Sequence, residues 1–181
     1  MTAATTALAE RVLAIGTVTA PYSLPTGELL SSYFDEYRIA ADPELLARTG
    51  QALAALLPAD VDVVAGLELG GVPFALAVSA ATGLPAALVR KTARPYGARL
   101  QVEGRPRTGA RVAMIDDVIR SGRQITVSAS ALRQAGTLPI AAVAVIVRPG
   151  NARALLRAHD ITVSGVVDET QAPARPGQGP T

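Results

Sequence analysis

Residues 112–124, VAMIDDVIRSGRQ, carry the densest chemistry in the chain. Val112, Ala113, Met114 and Ile115 are apolar and partly β-branched, which predicts a buried strand ending near Asp116. Asp116 and Asp117 then stand side by side. Two adjacent carboxylates can accept hydrogen bonds from the vicinal hydroxyls of a sugar. A short turn, Val118, Ile119, Arg120, Ser121 and Gly122, leads to a helix expected from Arg123 and Gln124. Backbone N–H groups in such a turn, before a helix N-terminus, are suited to a phosphate. An acidic residue at a strand end is also common in sheets of ordinary function, so the pair alone decides nothing.

Three further groups carry chemistry. GLELGG, residues 66–71, puts Gly70 and Gly71 together, which permits close approach of backbone to a ligand or simply a tight turn. Arg90 and Lys91, with Arg94 beyond, can neutralise a polyanion such as pyrophosphate, or form a solvated loop. The basic series Arg90, Lys91, Arg94, Arg99, Arg105, Arg107 and Arg111 is opposed locally only by Glu103, and Lys91 is the only lysine in the chain. His159, the single histidine, falls at a predicted helix end, where a cation meets the helix dipole. With one histidine and no cysteine, thiolate zinc sites, disulfides and cysteine nucleophiles are excluded, and no G-x-S-x-G supports a serine hydrolase.

The elements that must position these groups follow from periodicity. The chain has 181 residues, 49% hydrophobic and only 3% aromatic, so one core of Ala, Val, Leu and Ile is expected. Helices are predicted over 4–15, from Asp42-Pro43 to about Leu57, over 72–81, 123–134 and 152–158. Strands are predicted over 61–65, 86–90, 111–116, 140–147 and 161–167. Continuous apolar strands alternating with helices indicate an α/β fold around a central parallel sheet flanked by helices. Ligands of such sheets lie beyond the C-terminal strand ends, and Gly66 to Gly71, Arg90-Lys91, Asp116-Asp117 and Arg148 each follow a predicted strand. The longest apolar run, residues 138–147, is too short to span a bilayer, and the N-terminus lacks a signal-peptide pattern, so a cytoplasmic protein is expected. A net charge of +2 argues neither for nor against nucleic acid, and the lack of a recognisable reading module argues against it.

The order and spacing of these groups carry more than any one of them. VAMIDDVIRSG resembles the phosphoribosyl-diphosphate motif of type I phosphoribosyltransferases. GLELGGVPFALAVSAATGLPAALVRKTARPYGARLQVEG resembles, more narrowly, the orotate phosphoribosyltransferases. GELLSSYFDEYR (27–38) is similar to their early segment with paired aromatics, and VAVIVRPGNAR (143–153) to their later strand ending in Arg.

The resemblance implies a type I phosphoribosyltransferase-like fold in one domain, residues 1–170. It implies a small N-terminal hood over roughly 1–40, a long mobile loop over roughly 91–109 and a disordered tail over 171–181. It implies transfer of ribose 5-phosphate from phosphoribosyl diphosphate to orotate, with Mg²⁺ carried on the diphosphate. Asp116 and Asp117 would hold the ribose, with Lys91 and Arg94 also catalytic. Val118, Ile119, Arg120, Ser121, Gly122, Arg123 and Gln124 would receive the 5-phosphate. Gly70, Gly71, Arg90, Lys91, Arg94 and Tyr96 would face the diphosphate, and Tyr33, Phe34 and Arg148 the base. A homodimer with the loop acting in trans is implied as well. The chain differs from the family where Arg120, Arg123 and Gln124 replace small or hydroxyl residues, at Tyr96 for histidine, and at Pro25-Thr26-Gly27 for Lys-Ser-Gly. Two other readings stay open: transfer to a different heteroaromatic base, and a non-catalytic protein that binds phosphoribosyl diphosphate or a nucleotide as a signal.

Overall fold

The computed structural model describes residues 3–23, 29–95 and 100–170. The sequence readings for residues 24–28, for Tyr96 and for the segment 171–181 lie outside them. The chain opens with helix α1 (Ala3–Gly16), then an antiparallel hairpin, β1 (Thr17–Ser23) and β2 (Leu29–Phe34), and the short helix α2 (Tyr37–Ala40). Next come α3 (Pro43–Ala54), β3 (Val63–Leu67), α4 (Gly71–Thr82) and β4 (Ala86–Val89). The remainder is β5 (Val102–Glu103), β6 (Arg111–Ile119), α5 (Arg123–Gln134), β7 (Leu138–Val147), α6 (Ala152–Arg157) and β8 (Thr162–Asp168).

Six strands form the main sheet in the order β5-β4-β3-β6-β7-β8, parallel except for β5. The strand order reverses beside β3 and β6, and a crevice opens at such a switch point beyond the C-terminal strand ends. Both faces of the sheet are covered. Val112 and Met114 of β6 pack with Ile125, Ala129 and Leu132 of α5 and Leu156 of α6. Ala113 and Ile115 pack on the other face with Leu45 and Leu53 of α3 and Phe74 and Val78 of α4. This alternation is what a strand buried on both sides requires, and it explains why β6 reads as an unbroken apolar run.

Local signals set the helix ends. Asp42 caps α3 by accepting a 3.0 Å hydrogen bond from the Leu45 amide, with Pro43 in the first turn. Gly83 ends α4 at φ 75°, a left-handed conformation that favours glycine. Of the first forty residues, the hairpin stands apart as its own sheet, whereas α1 buries Leu8, Ala9 and Val12 in the main core.

Three sequence expectations are corrected. The strand expected to end at Asp116 continues through Asp117, Val118 and Ile119, because both apolar residues pack inward and Ile119 is 2% exposed. The following strand starts at Leu138 rather than Ile140, and Pro139 is accommodated where the β6–β7 register shifts. The loop after Lys91 is interrupted by β5, which pairs antiparallel with β4.

Candidate active site

The acidic pair lies on the central strand β6, beside β3 and opening onto the turn that starts α4. Asp116 is 3% exposed, and its Oδ1 accepts a 3.1 Å hydrogen bond from the Asp117 amide. Burial pushes the Asp116 carboxyl well above the usual carboxylate range, and the negative charge of Asp117 adds to this. Glu36, next to α2, feels the same field. Its carboxyl is raised first by burial and then by repulsion from Asp117 and Asp35. The segment before α2 therefore brings a further carboxylate toward the acidic pair.

Gly70 and Gly71 do two different jobs. A methyl group built on Gly70 would lie 2.7 Å from Cγ of Asp117, so this glycine lets the carboxylate sit against the β3–α4 turn. A methyl on Gly71 would meet the Ile115 carbonyl oxygen and lie 3.0 Å from Cα of Asp116. Gly71 thus serves helix-to-strand packing, and Gly70 faces the site. The peptide between Glu68 and Leu69, in the same turn, is cis.

The basic groups leave the end of β4. Glu103 on β5 holds two of them, with Oε1 at 3.2 Å from Nε of Arg90 and 2.7 Å from Nε of Arg94. Glu68 reaches across from the β3 turn and accepts a 2.8 Å hydrogen bond from the Lys91 amide. The Gln101 side-chain amide donates to the Arg90 and Lys91 carbonyls, at 3.1 and 3.3 Å. The Lys91 side chain is left exposed at the mouth of the cleft.

The expected phosphate turn starts within the end of β6. Ile119 is buried and Val118 is partly buried against the core. Their contribution is limited to backbone. Arg120 and Ser121 are exposed, Gly122 turns at φ 75°, and Ser121 Oγ accepts from the Arg123 amide at 3.4 Å. This turn is backed by the β7–α6 connection: a methyl on Gly150 would strike the Arg120 carbonyl, and one on Gly122 would lie 3.2 Å from Cα of Ala152. Arg123 and Gln124 open α5 directly after the turn. With Glu68, Val89, Arg90, Lys91, Val127 and Ser128 they line a cleft of about 230 Å³ between α5 and β4.

The base-side residues are dispersed. Phe34 packs on Gly16 and Ile39, where a methyl on Gly16 would lie 2.9 Å from Phe34 Cδ2 and 2.8 Å from Ile39 Cδ1. Tyr33, its neighbour on β2, points to the opposite strand face, so the two rings do not frame one base together. Arg148 follows β7; its amide donates to the Ile119 carbonyl at 2.8 Å, and Nη1 lies 3.6 Å from Glu169 Oε2. Sequence reasoning missed Glu36, Glu68 and Glu169. Glu68 lay inside the quoted GLELGG motif, and its charge was the available signal.

Among the described residues, no group of three or more His, Asp or Glu is arranged to hold a metal ion, and no helix is long and apolar enough to cross a membrane.

Residues 41–176 match the family model described as phosphoribosyl transferase domain. The chain is 43% identical over 129 residues to an orotate phosphoribosyltransferase of Nocardioides sp., covering 71% of this chain and 72% of that protein. It is 33% identical over 146 residues to the orotate phosphoribosyltransferase of Halobacterium salinarum, covering 81% of this chain and 83% of that one. Among solved structures, the orotate phosphoribosyltransferase of Mycobacterium tuberculosis in complex with Fe(III) dicitrate superposes with a TM-score of 0.79 at 27% identity, covering 92% of this chain and 96% of that one. The same enzyme in complex with 5-phospho-α-D-ribosyl 1-diphosphate gives a TM-score of 0.74 at 26% identity, with the same coverage. The acidic pair on β6, the glycine turn against it and these likenesses converge, and the chain belongs to the phosphoribosyltransferase family.

Proposed function

We propose that the protein transfers ribose 5-phosphate from phosphoribosyl diphosphate to orotate, giving orotidine 5-phosphate and pyrophosphate. The observation that carries this reading is the seat of Asp117 against Gly70. It joins a pair of sugar-binding carboxylates to a glycine turn, with Arg90, Lys91 and Arg94 leaving the neighbouring strand. The names of the relatives supply the base.

In this reading a ring nitrogen of the base attacks the anomeric carbon as its bond to the diphosphate oxygen breaks. The bonding electrons leave with pyrophosphate, and the nitrogen's proton goes to solvent or to the departing oxygen. The transition state resembles an oxocarbenium ion, so the protein needs anionic groups beside the sugar and cations on the leaving group. Asp117, half-buried against Gly70, serves the sugar side, and Asp116 accepts a hydrogen bond from the Asp117 amide. Lys91 and Arg94 serve the leaving side with Arg90. Tyr96, two residues after Arg94 in the sequence, is assigned to the same end of the donor. Ser121, Gly122 and the exposed Arg120 receive the 5-phosphate, with backbone help from Val118 and Ile119. Tyr33 and Arg148 serve the base.

Mg²⁺ is held in many phosphate sites by one or two carboxylates plus phosphate oxygens, and the half-buried Asp117 carboxylate is of the type that would hold it here. When bound, the ion would neutralise diphosphate charge. A cytoplasmic homodimer, each loop after Lys91 closing over the partner's cleft, completes the proposal.

A second reading keeps the donor and changes the base. The Glu36 carboxyl is raised first by burial and then by repulsion from Asp117 and Asp35, and carboxylates this near the acidic pair disfavour a carboxylated base. A panel of heteroaromatic bases assayed for pyrophosphate release with phosphoribosyl diphosphate and Mg²⁺ tests both. Turnover with orotate well above the other bases supports the first reading. Turnover only with an uncharged base supports the second, and none with any base overturns both.

A further inference from the structure

We infer that Glu68 is a positioning residue for Lys91: its carboxylate fixes where the only lysine of the chain stands on the leaving-group side of the donor. This rests on the transferase reading above.

The ladder between β3 and β4 supplies the reason. The two strands run parallel, with Val64 opposite Ala86 and Gly66 opposite Leu88. In a parallel ladder alternate residues of one strand bond to the residues on either side of their opposite number. Val64 and Glu68 accordingly donate their amides to the Pro85 and Val89 carbonyls, at 3.1 and 2.9 Å. By the same register the next rung would run from the Lys91 amide to the Glu68 carbonyl. The Lys91 amide donates to the Glu68 carboxylate, at 2.8 Å. The side chain thus carries the ladder one rung past the strands, while the main chain turns away toward Gly70. Gly70 is the residue against which Asp117 sits. Residues 68–70 therefore seat the sugar-side carboxylate at one end and hold the start of the cationic segment at the other.

The anchor matters because the Lys91 side chain has no other tether. Glu103 holds Arg90 and Arg94 by their guanidinium groups. Among the described residues the Lys91 ammonium has no carboxylate within ion-pair distance, so its place is set through its backbone. That backbone is gripped on both sides, by Glu68 at the amide and by the Gln101 side chain at the carbonyl, 3.3 Å away. The Glu68 contact is the shorter and is charge-assisted, and bonds of that kind are about twice as strong as neutral ones. Glu68 makes no ion pair of its own among the described residues, which leaves its carboxylate committed to the Lys91 amide.

Two measurements on the full chain test the assignment. Because Lys91 is the only lysine, protein labelled with heavy nitrogen at the lysine backbone shows a single amide signal in NMR. Glu68→Ala is expected to speed hydrogen exchange at that amide by about tenfold or more, and Glu68→Gln, which keeps an acceptor oxygen, to return most of the protection. Isothermal titration with Mg²⁺-pyrophosphate reads the consequence. Glu68→Ala should weaken binding by about tenfold, and Glu68→Gln by less than about threefold. Added to Lys91→Ala, Glu68→Ala should cost less than about twofold more, because it acts through the residue already removed; a general loss of structure would multiply the two losses. Unchanged or tighter binding in Glu68→Ala, equal losses in the Ala and Gln variants, or losses that multiply would each overturn the inference. Coupled losses in pyrophosphate binding without turnover on any base would support it and sink only the transferase reading. Turnover in a protein whose pyrophosphate affinity ignores Glu68 would overturn the inference alone.

Discussion

Replacing Gly70 with alanine should separate activity from stability. Gly70 sits at φ −61° and ψ −34°, a helical conformation open to any residue, so alanine meets no backbone strain. Loss of glycine's freedom in the unfolded chain favours the variant by about 0.4–1 kcal/mol. The new methyl meets the site instead. It would lie 2.7 Å from Cγ of Asp117 and 2.9 and 3.0 Å from its two oxygens. Asp117 is half-buried and can give way, so the carboxylate is displaced and the fold is not. A hydrogen bond to a charged group is worth about 1.5–3 kcal/mol, which converts to a roughly 10- to 100-fold loss of kcat/KM for phosphoribosyl diphosphate. The midpoint of thermal unfolding should hold or rise slightly. Gly71→Ala is the control with the opposite signature. Its methyl meets backbone, the Ile115 carbonyl and Cα of Asp116, which cannot swing aside. Overpacking of this kind costs about 1–3 kcal/mol, and each kcal/mol lowers Tm by about 2–4 °C in a chain of this size. Initial rates of pyrophosphate release and thermal melts on both variants decide the matter. Wild-type kinetics in Gly70→Ala would refute the placement of Asp117 against the turn.

Asp116 offers a pH test. Because its native carboxyl is raised by burial and by Asp117, the folded protein keeps a proton over a range where the unfolded chain has lost it. Stability from this group is full below the unfolded-state value and falls as pH rises through the raised native value. Asp116→Asn should flatten that decline in melts taken from about pH 4 to about pH 8; an unchanged slope would show that Asp116 is not the group responsible. Lys91→Ala removes an exposed ammonium, so Tm should stay within about 2 °C while kcat falls by roughly 10²-fold, and unchanged kcat would make the lone lysine incidental. Asp42→Ala loses the cap of α3 at a cost of about 1 kcal/mol, read as a Tm lower by about 2–4 °C with full activity per folded molecule.

The sheet was legible because its strands are buried on both faces, and continuous apolar runs mark such strands. The acidic pair on β6 stood out through the order of the groups around it, Gly70-Gly71, Arg90-Lys91 and Arg148, and not by itself. Where the reading failed, tertiary packing decided. Charge at Asp116 and Asp117 argued for a strand end, yet Val118 and Ile119 found cores to enter and extended β6 past them. Pro139 argued against a strand, yet a register shift beside it removes the need for its missing N–H. β5 is two residues long, too short for any period to register. The likeness of Tyr33 and Phe34 in type concealed that strand alternation sends them apart.

The double grip of Glu103 has a consequence for selectivity. An anion that recruits Arg90 or Arg94 does not meet bare cations; it enters an exchange with a resident carboxylate tethered to the sheet edge. Partly exposed pairs of this kind are worth about 0–1 kcal/mol, so displacing one discounts an incoming ion by up to about fivefold. A chloride or a lone phosphodiester gains too little to overcome two such discounts. A compact, multiply charged anion gains enough, and when it departs the guanidinium groups return to a partner already in place.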